Sequence, residues 1–230
     1  MLKVEEIHTY YGDSHILQGI SLEVGQAEVI GILGRNGRGK TTLFRSVLGI
    51  TPPRRGRVSY LDVEITNKKA YEIARLGIGL VPQGRLIFPS LNVEENLTVA
   101  FKGGSNGWTL EKIYELFPPL RQRAGYPGTK LSGGEQQMLA IGRSLMTNPS
   151  LLLMDEPTAG LAPIFVQTVG RVMRELQRSG ISILLVEQNL RFALTHTDYI
   201  HIMARGTIAH SSSPQELETD HEVILRYLGV

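Results

Sequence analysis

A chain of 230 residues, 42% hydrophobic and 20% charged, suffices for one globular domain or for a domain carrying an inserted subdomain. Its 24 Lys and Arg against 22 Asp and Glu leave a net charge of +2, too even a balance to point to nucleic acid as a partner. The absence of cysteine excludes disulfides, thiolate metal sites and a cysteine nucleophile, and is compatible with an intracellular setting.

The chain opens MLKVEEIHTYYG, where Glu5 and Glu6 interrupt any apolar core, so no secretory signal is expected. Short strands are predicted where Val4 and Ile7 lead into Tyr10, at Ile20 to Val24 and at Arg57 to Leu61. A turn at Gly25-Gln26 precedes Ala27 to Leu33, an almost unbroken apolar run that suits a strand buried on both faces. Leu43, Val47 and Ile50 then recur at helical spacing, with Gly49 and Pro52 as the stop. Further buried strands are predicted at Ile78 to Val81, Leu151 to Met154 and Ile181 to Val186, and a helix presents Phe165, Val169, Val172, Met173 and Leu176 on one face. Strands alternating with helices predict an α/β fold whose mainly parallel sheet is covered on both sides. Between them, Glu94 to Phe101, Leu110 to Phe117 and Glu135 to Leu145 read as helices separated by Gly103-Gly104, Pro118-Pro119 and Gly125 to Gly128. The expected organisation is one domain over 1–230, with a core of 1–84 and 149–230 and a helical subdomain at 85–148. The longest apolar runs fall far short of the roughly 20 residues a membrane helix needs, so work at a membrane would require a partner to hold the chain there.

The segment Gly34-Arg35-Asn36-Gly37-Arg38-Gly39-Lys40-Thr41 fits the phosphate-loop pattern G-x-x-x-x-G-K-[ST], set between a buried strand and a helix as its mechanism requires. Glycines let the backbone close around phosphate oxygens with its N–H groups pointing inward, and the following helix offers its positive end. Lys40 supplies charge to the outer phosphates, and the Thr41 hydroxyl is a ligand for Mg2+. Arg38, bulky among glycines, is expected to point to solvent. Downstream, a buried strand ends in Asp155-Glu156-Pro157, where ligands bind in open α/β sheets. Adjacent strand residues face opposite ways, which gives the acids different tasks. Asp155 suits the Mg2+ shell, whereas Glu156 suits polarising the water that attacks the γ-phosphate of ATP.

With Leu131-Ser132-Gly133-Gly134-Glu135 lying between those two motifs, essentially the whole chain resembles the nucleotide-binding subunits of ABC (ATP-binding cassette) transporters. The resemblance implies a P-loop ATPase with N-terminal antiparallel strands and an inserted helical subdomain. ATP would be held by Gly34, Arg35, Asn36, Gly37, Gly39, Lys40, Thr41 and Thr42, with Tyr11 stacked on adenine. Gln83 would join Thr41 and Asp155 around Mg2+ and relay the nucleotide state to the helical subdomain. Ser132, Gly133 and Gly134 would cap the γ-phosphate bound to the opposite subunit, the same geometry as an ordinary helix N-cap at Ser132.

Gly160-Leu161-Ala162-Pro163 matches the loop between subunits, with Ala162 where an aspartate is usual, and Gln188 stands where most of the family has histidine. Glutamine donates a neutral hydrogen bond and cannot become cationic, so charge-assisted stabilisation there is weaker. Together with Glu135 and the terminal Tyr227-Leu228-Gly229-Val230, these features resemble the LivF-type ATPase of branched-chain amino acid importers, with the urea-importer ATPase close by. The implied partners are a second, different ATPase subunit (or a second copy), two transmembrane permease subunits and, indirectly, a periplasmic solute-binding protein. The implied location is the cytoplasmic face of the inner membrane. An amide or urea importer, and an ATP clamp of low turnover, are the alternatives. The six histidines form no metal-ligand spacing and are expected on the surface or in packing.

Overall fold

The computed structural model describes residues 1–103 and 107–229, so Gly104 and Val230 of the segments named above lie outside the described residues. The chain begins with β1 (Leu2–Tyr11), β2 (Ser14–Val24) and β3 (Val29–Leu33), followed by α1 (Lys40–Val47). A hairpin of β4 (Arg55–Tyr60) and β5 (Val63–Glu64) leads through α2 (Ala70–Arg75) to β6 (Ile78–Val81). Helices α3 (Val93–Thr98), α4 (Leu110–Leu116), α5 (Pro118–Gln122) and α6 (Gly133–Leu145) come next. Strand β7 (Leu151–Asp155), helix α7 (Pro163–Arg178), strand β8 (Ser182–Glu187) and helix α8 (Leu190–His196) restore the alternation. The chain finishes with β9 (Tyr199–Ala204), β10 (Thr207–Ser212), α9 (Pro214–Thr219) and α10 (His221–Tyr227).

Two sheets result. An antiparallel one has the order β2-β1-β4-β5, and a six-stranded one has the order β10-β9-β3-β8-β7-β6, parallel throughout except for its β9–β10 edge. Strand alternation divides the larger sheet into two buried faces. Ile30, Ile32, Leu151, Leu153, Leu184 and Val186 meet α1 and the antiparallel sheet, whereas Val29, Leu152, Met154, Ile183 and Leu185 meet α6 and α7. The helices between Val93 and Leu145 share that second cluster: Leu97, Ile113, Phe117 and Leu139 belong to the same apolar body as Met154.

Three local expectations need correction. Ile50 is not on the face of α1, which stops at Val47. Gly49 turns left-handed (φ 67°), its N–H reaches Ser46 O and the Ile50 N–H reaches Arg45 O, the paired bonds of a Schellman end. Ile50 is thereby thrown outward, 49% exposed. Pro118-Pro119 does not merely separate helices but opens α5, because a first-turn proline lacks only an N–H that has no intrahelical partner there. The prediction of Glu94 to Phe101 likewise runs past the end of α3 at Thr98. Among the described residues, no helix is long and apolar enough to cross a membrane.

Candidate functional site

The parallel strands β3, β8, β7 and β6 lie side by side, so their carboxyl ends bring four loops to one edge. After β3 the chain must turn closely past its neighbours. A Cβ on Gly34 would stand 2.6 Å from Met203 O, and one on Gly39 would stand 2.9 Å from a Leu17 methyl. Gly39, at φ 100°, then delivers Lys40 as the first residue of α1. Only 5% of Lys40 is exposed, and its ammonium donates to Gly34 O (2.6 Å) and Arg35 O (3.3 Å) while pairing with Glu156 Oε1 at 3.2 Å.

Glu156 sits just past β7 in the left-handed region (φ 49°), its N–H bonded to Val186 O of the neighbouring strand. Besides Lys40, its Oε1 accepts from Gln188 Nε2 (2.6 Å), and its Oε2 accepts from Gln83 Nε2 (2.9 Å). Gln188 Nε2 also donates to Asn36 Oδ1 at 2.5 Å. Lys40, Gln83 and Gln188, each following a different strand, thus converge on one carboxylate. The adjacent Asp155, the last residue of β7, is buried, 4% exposed. Burial pushes its carboxyl pKa up; the neighbouring Thr41 hydroxyl and Lys40 oppose this, and the Glu156 and Glu187 carboxylates add to it. Asp155 Oδ1 is buried with no hydrogen-bond partner among the described residues. That orphaned oxygen beside the Thr41 hydroxyl is the hard-oxygen chemistry that Mg2+ takes, so the residues present fit the ion.

A cleft of about 310 Å3 runs along the loop, lined by Tyr11 and Ile16 at one end, Asn36 to Thr42 along its floor, and Gln83 and Glu156 at the other. Tyr11 is 42% exposed, with the Arg45 guanidinium 5.8 Å from its ring centre. Gly34, Arg35 and Gln188 line a neighbouring cleft that also includes Asn36 and Arg38. Arg38, expected to point to solvent, is half-buried and lines both clefts.

Ser132, Gly133 and Gly134 line neither cleft. They open α6 as a capping box: Ser132 Oγ accepts from the Glu135 N–H at 3.4 Å, and Glu135 Oε2 accepts from the Ser132 N–H at 2.8 Å. Their glycines also have a packing reason. A Cβ on Gly133 would come within 3.2 Å of the Arg85 guanidinium, and one on Gly134 within 2.2 Å of the Phe165 ring. Gly134→Ala is therefore expected to force that ring aside and cost about 1–3 kcal/mol, a fall of several degrees in the melting midpoint. Calorimetric melting of the variant measures this, and an unchanged midpoint would mean that Phe165 yields freely.

Two contributors were given no role by sequence reasoning: Ile16 on the cleft wall and the buried Glu187. Glu187 closes a strand with an acid, which is the same signal that singled out Asp155 and Glu156.

The phosphate-loop geometry, on a mainly parallel sheet with an antiparallel sheet beside it, defines a P-loop ATP-binding fold. The family model described as ABC transporter matches residues 17–159. The chain is 39% identical over 232 residues, the full length of both chains, to the high-affinity branched-chain amino acid transport ATP-binding protein BraG of Pseudomonas aeruginosa. It is 33% identical to the lipopolysaccharide export system ATP-binding protein LptB of Escherichia coli, over 99% of this chain and 97% of the other. Its fold superposes on the crystal structure of a nucleotide-free ATP-binding cassette from an ABC transporter with a TM-score of 0.87, at 30% identity and 97% coverage of each chain. The chain belongs to the ABC transporter family, as an ATP-binding subunit that hydrolyses ATP.

Proposed function

We propose that this chain powers the import of branched-chain amino acids, by closing on ATP as a head-to-tail pair of subunits and reopening after hydrolysis. The observation that carries the chemistry is the Glu156 carboxylate held between Lys40, Gln83 and Gln188 at the mouth of the phosphate-loop cleft. The amides from Gly34 to Thr42, with the Asn36 and Lys40 side chains, would receive the triphosphate, and Tyr11 would take the adenine face. Thr41, Asp155 and Gln83 would hold a magnesium ion, which would supply positive charge to the phosphate oxygens. Glu156 orients the attacking water and draws on its proton, while Gln188 donates a neutral hydrogen bond to the γ-phosphate. Ser132, Gly133 and Gly134, which do not line the cleft of their own chain, fit a role on the nucleotide of the opposite subunit.

A separate groove favours a membrane partner. Leu48, Ile50, Leu86, Phe88 and Val99 line an apolar hollow of about 620 Å3 beyond Gln83. We assign it to a permease subunit, which would place the chain peripherally on the cytoplasmic face of the inner membrane, with a periplasmic binding protein supplying the solute. The division into a core of 1–84 and 149–230 and a helical part at 85–148 would let Gln83 transmit the nucleotide state across the boundary. Full-length likeness to the branched-chain transporter subunit at 39% identity, against 33% for the export subunit, supports import. Neutral Gln188 leaves slow, regulatory turnover as the second reading. Measuring ATP turnover in the reconstituted transporter, with each ATPase subunit inactivated in turn, decides between them.

Purified alone, the chain is expected to sediment as a monomer or weak dimer and to shift toward a dimer when MgATP is added. A stable dimer without nucleotide, seen by sedimentation velocity, would contradict the sandwich.

A further inference from the structure

Glu187 ends β8 with only 2% of its surface exposed, and the described residues offer it no ion-pair partner. A buried carboxylate survives only where hydrogen bonds replace water. Here there are four. Oε1 accepts from the Thr158 N–H (3.1 Å) and the Thr158 hydroxyl (2.6 Å), and Oε2 accepts from the N–H groups of Gln188 (2.9 Å) and Asn189 (3.1 Å). Both oxygens are engaged, one on each side. Oε1 holds the loop that follows β7 and carries Glu156, whereas Oε2 holds the loop that follows β8 and carries Gln188. None of the four donors belongs to the phosphate loop.

We propose that Glu187 is a positioning residue for hydrolysis, fixing the Glu156 turn and the Gln188 backbone in one register so that carboxylate and amide meet the γ-phosphate together. This rests on the roles given above to Glu156 and Gln188. The Thr158 end continues through Ala159 into Gly160–Ala162, the segment matched to the subunit contact, so the same carboxylate ties the γ-phosphate side of the cleft to that contact. Two parallel strands alone set their loops only to within the freedom of the turns. Misplacement of a reacting group by about 1 Å costs on the order of a hundredfold in rate, so the register of these loops is worth holding.

The test uses the full chain, with steady-state MgATP turnover and titration calorimetry of ATP. In Glu187→Gln one oxygen becomes an NH2 group facing N–H donors, so at least one side of the bridge is lost. The expected result is a kcat lowered about tenfold or more with KM and ATP affinity within about twofold, because no nucleotide contact is removed. Since Glu187 acts through Gln188, the loss from Glu187→Gln should shrink when Gln188→Ala is already present. A kcat within twofold of the parent, a loss of ATP affinity instead of kcat, or losses that multiply in the double variant would each overturn the proposal. If Glu187→Gln shows no cooperative melting, Thr158→Val removes one donor of the four and takes its place: a kcat lowered severalfold at constant KM supports the proposal, and an unchanged kcat refutes it. Glu156→Gln in the same assay separates the layers. Full activity of that variant removes the underlying assignment, whereas an inactive Glu156→Gln beside a fully active Glu187→Gln removes only this inference.

Discussion

Glu156→Gln is expected to lower ATP turnover by about a hundredfold or more while leaving ATP binding in place, since a positioned general base contributes on the order of 10²–10⁴ to rate. The substitution keeps shape and removes basicity. It also reverses part of the hydrogen bonding: an amide oxygen could still accept from Lys40 or Gln188, but the new NH2 would face either those donors or Gln83 Nε2. No phosphate-loop amide is touched, so nucleotide affinity has no cause to fall. Single-turnover hydrolysis beside calorimetric ATP titration separates the two quantities. Turnover at the parent rate would remove Glu156 from the chemistry and leave its contacts as mere loop packing.

Lys40→Ala should act at the earlier step, weakening ATP binding by about a hundredfold or more, which is roughly 2.7 kcal/mol. Lys40 is nearly buried, and its ammonium is the only cation paired with Glu156 among the described residues. Truncating one member of a buried, hydrogen-bonded charge pair costs about 2–5 kcal/mol, much of it from the charge left behind. Here that residue of cost falls on Glu156 and on Gly34 O, which loses a 2.6 Å bond. Titration calorimetry at millimolar nucleotide and magnesium, with a parallel thermal melt, tells lost affinity from lost fold. Equal heats of binding in parent and variant would undo the phosphate-loop reading altogether.

The parts of the site that sequence exposes are those whose residues are neighbours in the chain. Spacing alone shows the loop from Gly34 to Thr41, because the constraint is a tight backbone path into a helix. Asp155 and Glu156 are visible because an apolar run ends in two acids. By contrast, Gln83 meets Glu156 across 73 residues and Gln188 meets it across 32, and both meetings depend on β6, β7 and β8 lying side by side. Strand order is a tertiary outcome that periodicity does not carry; the family resemblance singled out those two glutamines, while composition had no means to do so. The C-terminal elements from α8 to α10 escaped prediction because they are short and half-buried, covering the sheet edge around Leu33, Ile200 and Ile202 with a small separate cluster. Glu187 shows the same acid-after-strand signal, but what it holds is not legible in sequence, because its four donors lie on two loops joined only by the fold.

The left-handed backbone at Glu156 sets a limit on improving this protein. Asn, Asp and Gly rest comfortably at such a φ and would relieve strain of about 1–3 kcal/mol, yet none of them extends a carboxylate as far as glutamate does. A search for heat-resistant variants that scored melting alone would be drawn toward this position and would return inert proteins.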